Sequence, residues 1–169
     1  MPTGGSAPEP AKPRPRPKLD DIDRHLIALL SANGRASNAS LAAATGTAES
    51  TSHARVRALF DAGIITGVHA EVDPAAIGRP LQALIFVRIH PSARGRLQDQ
   101  AERLAGLPGV LEVFFLGGHH DFIVHVAVAD SAALRDFVTV ELSSHKETSG
   151  TETSIVLEHR RGNQLEPPA

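Results

Sequence analysis

Hydrophobic positions fall into two regimes: a helical spacing up to about residue 65, and strand alternation mixed with helical stretches from residue 81 on. In the first regime Leu19, Ile22, Leu26, Leu29 and Leu30 recur at three- and four-residue steps and predict a helix with a buried stripe. Asp20 suits its N-cap, Asp21 and Asp23 suit its first turn, and Asn33-Gly34 predicts an end built on positive φ. Ser37 predicts the cap of a second, short helix with Leu41, Ala42, Ala43 and Ala44 as its packing face, followed by a turn at Thr45-Gly46-Thr47. A third helix is expected over 48–62, with Val56, Leu59, Phe60 and Gly63 toward the core. That leaves Glu49, Ser50, Thr51, His53, Ala54 and Arg57 outward. Ile64-Ile65 and residues 68–72 flank Thr66-Gly67, which predicts a short hairpin running into a connector strand.

The second regime predicts a strand over 81–90 and a helix over 91–107 with Ala93, Leu97, Ala101 and Leu104 inward. Strands over 110–116 and 122–129 follow, joined through Gly117-Gly118-His119-His120-Asp121. A helix over 131–143 turns Leu134, Phe137, Val138 and Leu142 inward, and residues 151–159 form the last strand. The order βαββαβ is that of a ferredoxin-like sandwich, an antiparallel sheet with two helices on one face. The fold class expected is therefore α+β: a helix-turn-helix, winged-helix-like unit, then this sandwich. A sheet covered on one side only alternates to polar residues where it meets water. Here Leu84 and Phe86 sit opposite Ala83, Ile85 and Val87, and the next two strands are apolar on both faces at most positions. An open apolar face of that size marks an interface, and a second copy of the chain is its expected cover.

Charge sharpens the division. The 169 residues carry a net charge of -2, yet residues 1–70 hold eight Lys/Arg against six Asp/Glu and residues 71–169 hold nine against thirteen. The first part is therefore +2 and the second -4. The Pro- and Gly-rich stretch 1–18 cannot bury enough apolar surface to fold. Its Lys12, Arg14, Arg16 and Lys18 either solubilise the chain or add a sequence-blind grip on phosphates. There are no cysteines, which excludes disulfides, thiol catalysis and cysteine-held zinc. No apolar run is long enough to span a membrane and the N-terminus does not read as a secretory signal, so a cytoplasmic location is expected.

The candidate chemistry is recognition. A basic third helix in a trihelical unit is the arrangement that enters a DNA major groove. Ser50, Thr51, His53 and Ala54 lie where side chains reach base edges, and Arg57 is better placed for phosphate. Arg55 flanks the packed face and either contacts DNA or pairs with an acid such as Asp23. In the turn at 117–121 the glycines let backbone N–H groups approach a small anion such as a carboxylate. Asp121 either accepts from an α-ammonium group or caps the next strand. His119, His120 and His125 raise a metal reading, which adjacent histidines on a tight turn and the missing cysteines weigh against. They also raise a pH-responsive interface. His25, His69, His90, His145 and His159 form no pattern. No nucleophile elbow, phosphate loop, dinucleotide fingerprint or metalloprotease motif is present, so an enzyme is not expected.

Leu19-Asp20-Asp21-Ile22-Asp23, Asn33-Gly34-Arg35, Leu41-Ala42, Gly46, Arg55-Val56, Leu59 and Gly63-Ile64-Ile65 together resemble the N-terminal domain of Lrp/AsnC (feast/famine) transcriptional regulators. Gly118 and Asp121, spaced as Gly-x-x-Asp, and the strand at 153–158 resemble their ligand-sensing domain, so the likeness spans about 19–161. It implies sequence-specific binding of double-stranded DNA by Ser37, Ser50, Thr51, His53, Ala54, Arg55 and Arg57. It also implies dimers built through the sensing domains and assembled further to octamers. A small amino acid, with no other cofactor or metal, would be bound between those domains at Gly117, Gly118, His119, His120 and Asp121. Thr47 and Ser52 depart from the pattern, since apolar residues usually pack the third helix there. Ala54 and Ala58 replace frequent basic positions. The organisation expected is a disordered basic tail over 1–18, a DNA-binding domain over 19–65, a connector over 66–80, an effector-binding and oligomerisation domain over 81–161, and a tail over 162–169. The alternative function is an architectural DNA-compacting protein without an effector.

Overall fold

A computed structural model describes residues 18–160, in two compact units that divide after Ala70. Residues 1–17 of the tail expected over 1–18, and the tail expected over 162–169, lie outside the described residues.

The first unit is three helices, α1 (Asp21–Ala32), α2 (Asn38–Thr45) and α3 (Glu49–Asp61). Asp20 caps α1 as expected and does so reciprocally. Its carboxylate accepts from the Asp23 N–H at 2.9 Å while the Asp23 carboxylate accepts from the Asp20 N–H at 3.2 Å. Ser37 caps α2, its Oγ accepting from the Ser40 N–H at 3.1 Å. Leu26, Leu41 and Leu59, one from each helix, form the buried centre, with Ile22, Leu29, Leu30, Val56, Ile64 and Ile65 packed around them.

Four local expectations fail here, each for a geometric reason. Phe60 is 39% exposed. At 3.6 residues per turn the buried line of α3 runs through Ser52, Val56 and Leu59, which puts Phe60 roughly 80° from Ser52, on the rim. Ala43 and Ala44 likewise face outward. Gly34 does not adopt positive φ. What excludes a side chain at 34 is close approach, because a Cβ there would lie 2.6 Å from Val68 Cγ1. The hairpin over 64–72 does not form, and no strand occurs there. Ile64 and Ile65 instead turn back on α3, both N–H groups donating to the Leu59 carbonyl at 2.9 and 3.2 Å. A lone two-stranded ribbon has little stability of its own, whereas two isoleucines gain by joining the core.

The second unit is the ferredoxin-like sandwich. Strands β1 (Leu81–Ile89), β2 (Val110–Phe115), β3 (Phe122–Val128) and β4 (Thr148–Val156) form an antiparallel sheet in the order β2-β3-β1-β4. Helices α4 (Leu97–Ala105) and α5 (Ser131–Asp136) follow β1 and β3. Ala83, Ile85, Val87, Phe122, Val124 and Val126 point to the helical side and are fully buried with Leu104 and Leu142. Two predicted helices are interrupted. Over 91–107 a 3₁₀ turn (Pro91–Arg96) precedes α4, with Gly95 at the junction. Over 131–143 the helix widens to a π-helix (Phe137–Ser143). The inward residues Phe137 and Leu142 are five apart, and an i to i+5 step brings both to one side where an α-helix would have turned Glu141 inward. Strand β4 begins three residues earlier than expected, Thr148 pairing with Ile89, and ends at Val156.

The opposite face of the sheet is covered only in part, with His125 and Ala127 buried on it. It carries Leu84 and Phe86 of β1, Phe114 of β2 and Ile123 and His125 of β3, rimmed by Glu112, Glu152 and Ser154. Phe114 is 45% exposed.

Candidate functional site

The outward face of α3 presents Ser50, Thr51, His53, Ala54 and Arg57, all exposed. Arg57 Nε is 3.8 Å from the Asp61 carboxylate with both side chains about three-quarters exposed, an arrangement that restrains the arginine little. Ser37 is exposed at the start of α2, but its hydroxyl is engaged as the cap described above. Asn38 then ties the two helix starts together, its Nδ2 donating to the Glu49 carbonyl at 2.8 Å.

Arg55 resolves the other way from the rest of the face. Its Nη1 donates to Asp23 Oδ1 at 2.8 Å and to Asp20 Oδ2 at 2.7 Å, clamping α3 to the capped start of α1. Hydrogen bonding to Asp23, then to Asp20, raises the guanidinium's pKa above its ordinary value. The Asp23 backbone N–H, followed by Arg55, lowers the pKa of Asp20. Arg55 is thus engaged as a structural clamp inside the reader, the pairing with an acid that its position beside the packed face allowed.

In the second unit the turn at 117–121 lies at the edge of the open sheet face. Gly117 and Gly118 have no positive φ, and a Cβ at either would meet nothing within 4 Å. The chain's own conformation therefore makes no demand for glycine there, and the space beside both is open. Asp121 is 6% exposed and fully occupied by the fold. Its Oδ2 accepts from the Ile89 N–H at 2.7 Å, and Oδ1 lies 3.5 Å from Arg94 Nη2. Its backbone N–H donates to the Val87 carbonyl at 2.9 Å. Its carboxylate thus holds the end of β1 rather than the strand that follows it. His120 packs its ring on Phe86 with centroids 5.2 Å apart and meets His119 edge-on at 4.9 Å. His125 is turned away from that pair, with Nε2 3.0 Å from Gln82 Oε1. Among the described residues no three His, Asp or Glu converge as a metal site.

One buried polar cluster gave no signal in the sequence. Glu147, 7% exposed, accepts from Arg96 at 2.7 Å and from Gln100 at 3.2 Å, and its Oε2 lies 2.8 Å from His145 Nδ1. His145, patternless in the sequence, thus has a structural partner. The contacts of Glu147 with Arg96 and Gln100 join residues 51 and 47 positions apart, which no spacing rule detects.

The model of the AsnC-type helix-turn-helix domain matches residues 19–59, and that of the Lrp/AsnC ligand binding domain matches residues 82–164. The chain belongs to the Lrp/AsnC family of transcriptional regulators. It is similar to the HTH-type transcriptional regulator AldR of Mycobacterium tuberculosis, with 43% identity over 86% of this chain and 81% of AldR. The crystal structure of AldR from that organism superposes with a TM-score of 0.76 at 39% identity, covering 88% of this chain and 97% of that one. A regulator from Neisseria meningitidis, NMB0573, in complex with L-Met, superposes with a TM-score of 0.79 at 30% identity, covering 89% and 97%.

This Lrp/AsnC protein is accordingly a transcriptional regulator with a DNA-binding helix-turn-helix and a ligand-binding domain. Its relatives are regulators rather than enzymes. Among the described residues no helix is long and apolar enough to cross a membrane. Of its departures from the family pattern in the reader, Thr47 and Ser52 have different outcomes. The Thr47 hydroxyl meets that of Thr45 at 3.0 Å, while the Ser52 hydroxyl is wholly buried without a partner.

Proposed function

We propose that this Lrp/AsnC regulator reads a specific duplex sequence with α3 and that a small amino acid, bound at 117–121 between sensing units of neighbouring copies, controls it. Ser50, Thr51, His53 and Ala54 face base edges and Arg57 a phosphate. Gly117, Gly118, His119 and His120 contact the effector, and Asp121 holds their turn in place from behind. The sheet face bearing Leu84, Phe86, Phe114 and Ile123 packs on its equivalent in a second copy, which pairs two readers, and dimers assemble further to octamers. Binding at a site shared between copies favours one assembly over another, because a ligand shifts an equilibrium only by its difference in affinity for the two states.

The observation that carries the reading is the pair of glycines at 117 and 118. Neither backbone strain nor packing within the chain demands them, so open space beside the backbone is what they preserve. The L-Met complex of the Neisseria relative supports an amino acid as the class of occupant. The test is native mass measurement of the full chain with each amino acid in turn, paired with operator-binding titrations. The expected result is that at least one amino acid changes both the subunit number and the DNA affinity. Broad, low-specificity DNA binding with no response to any amino acid refutes the reading in favour of an architectural protein.

A further inference from the structure

The two edges of the sheet are protected differently. In the order β2-β3-β1-β4 the outer strands are β2 and β4. β4 keeps a polar edge, with Thr148, Ser149, Thr151, Thr153 and Ser154. β2 consists of Val110, Leu111, Glu112, Val113, Phe114 and Phe115, a run of high strand propensity with no proline, no lysine and a single charge. An edge of that kind pairs with another chain unless something covers it. Leu111 is 45% and Phe115 61% exposed, and an open groove of about 340 Å³ lies between them and Ala101 and Ala105 of α4. The backbone of this edge is ready to pair. The Leu116 N–H donates to the Asp121 carbonyl at 2.8 Å, so Leu116 faces β3. Backbone groups alternate sides along an antiparallel strand, so Glu112 and Phe114 also face β3 while Val113 and Phe115 turn theirs outward.

We infer that β2 is a second subunit interface, pairing edge to edge and antiparallel with β2 of another copy about a two-fold axis at Val113. In that register the two Val113 residues exchange both backbone hydrogen bonds. Each Leu111 stands beside Phe115 of the partner subunit on the helical side, where the pair fills the groove along α4. Each Glu112 stands opposite Phe114 of the partner subunit. An axis at Glu112 would set two carboxylates directly against each other, and an axis at Phe114 would carry Leu111 past the end of the facing strand. The strand is thus complementary to itself, and that complementarity names a second copy as the occupant. The contact uses up both apolar edges, so it closes instead of growing into a fibre. It deepens the assembly reading above and rests on it for the number of subunits: each chain has one contact through its sheet face and another through its edge, and together they carry assembly past a dimer. β2 also runs directly into the turn at 117–121, which places the edge beside the glycines.

Native mass measurement and sedimentation of the full chain test the contact. The wild type is expected to exceed two subunits. Leu111→Lys and Phe115→Glu are each expected to stop at two, since each sets a charge against an apolar partner. The double variant brings opposite charges together across the junction and is expected to regain the wild-type subunit number. Within one chain the two positions are about 13 Å apart along the strand, so they cannot pair there. Single variants that keep the wild-type number overturn the edge contact and leave the face contact standing. A double variant that stays at two overturns the pairing about Val113. Should the wild type itself be a dimer, Leu84→Lys separates the two contacts. A dimer that Leu84→Lys dissociates and Leu111→Lys leaves intact is joined by the face and refutes the edge. The reverse pattern refutes the face contact and upholds the edge, and a wild type that stays a single subunit refutes both. Circular dichroism checks that each variant folds; Phe115 packs on Phe122 with ring centroids 5.4 Å apart, and where one single variant fails to fold the other decides.

Discussion

Ser52→Ala is expected to stabilise the DNA reader. Ser52 is 0% exposed in the first turn of α3, and among the described residues its hydroxyl has no hydrogen-bond partner. A buried polar group without a partner costs about 1–3 kcal/mol. Alanine also exceeds serine in helix propensity by roughly 0.5 kcal/mol. Against this stands the lost packing of one oxygen atom, at about 0.1–0.2 kcal/mol per contact. The net is a gain of about 1–2 kcal/mol. The chain has neither Trp nor Tyr, so the assay is urea unfolding followed by far-UV circular dichroism rather than fluorescence. With a slope of about 1 kcal/mol/M, the reader's midpoint rises by about 1–2 M. Because the hydroxyl points inward, operator affinity should not change. An unchanged or lowered midpoint refutes the reasoning, since it would mean that the hydroxyl is satisfied. Thr47→Val is the control, and its loss of the Thr45 contact should destabilise by about 0.5–1.5 kcal/mol.

Three further outcomes follow from the same geometry. Arg57→Ala should weaken DNA binding nearly uniformly across sequences and reduce the slope of log affinity against log salt by about 1, and an unchanged slope in fluorescence anisotropy with labelled DNA excludes its phosphate contact. Asp121→Ala removes the acceptor of the Ile89 N–H and leaves Arg94 unpaired, so the sensing unit should lose about 2–3 kcal/mol, measured by denaturation; loss of ligand affinity at unchanged stability would instead make Asp121 a direct contact. Asp20 has its pKa lowered in the folded reader by the Asp23 N–H and Arg55, so the unfolded chain binds its proton first and the stabilisation is present above the ordinary carboxylate range and lost as pH falls through it. Denaturation between pH 7 and pH 3 should show Asp20→Asn flattening part of the acid decline, and parallel curves for variant and wild type would contradict the clamp.

The elements and their caps were legible in the residues themselves. Asp20, Ser37 and the apolar steps of α1 act within three or four positions, and a cap or a helical stripe needs nothing more distant to form. The one-sided sheet was legible for the same reason, because strand alternation declares which side chains share a face. The partner of an ambiguous group was decided only by tertiary structure. Arg55 meets acids 32 and 35 positions away, Asp121 caps a strand 32 positions back, and Glu147 is held from residues 47 and 51 positions earlier. Packing also decided the π-turn that brings Leu142 inward and the folding of Ile64 and Ile65 onto the core in place of a hairpin. Local propensities differ by fractions of a kcal/mol, and burial of a single large apolar side chain, at about 1.5–3 kcal/mol, outweighs them.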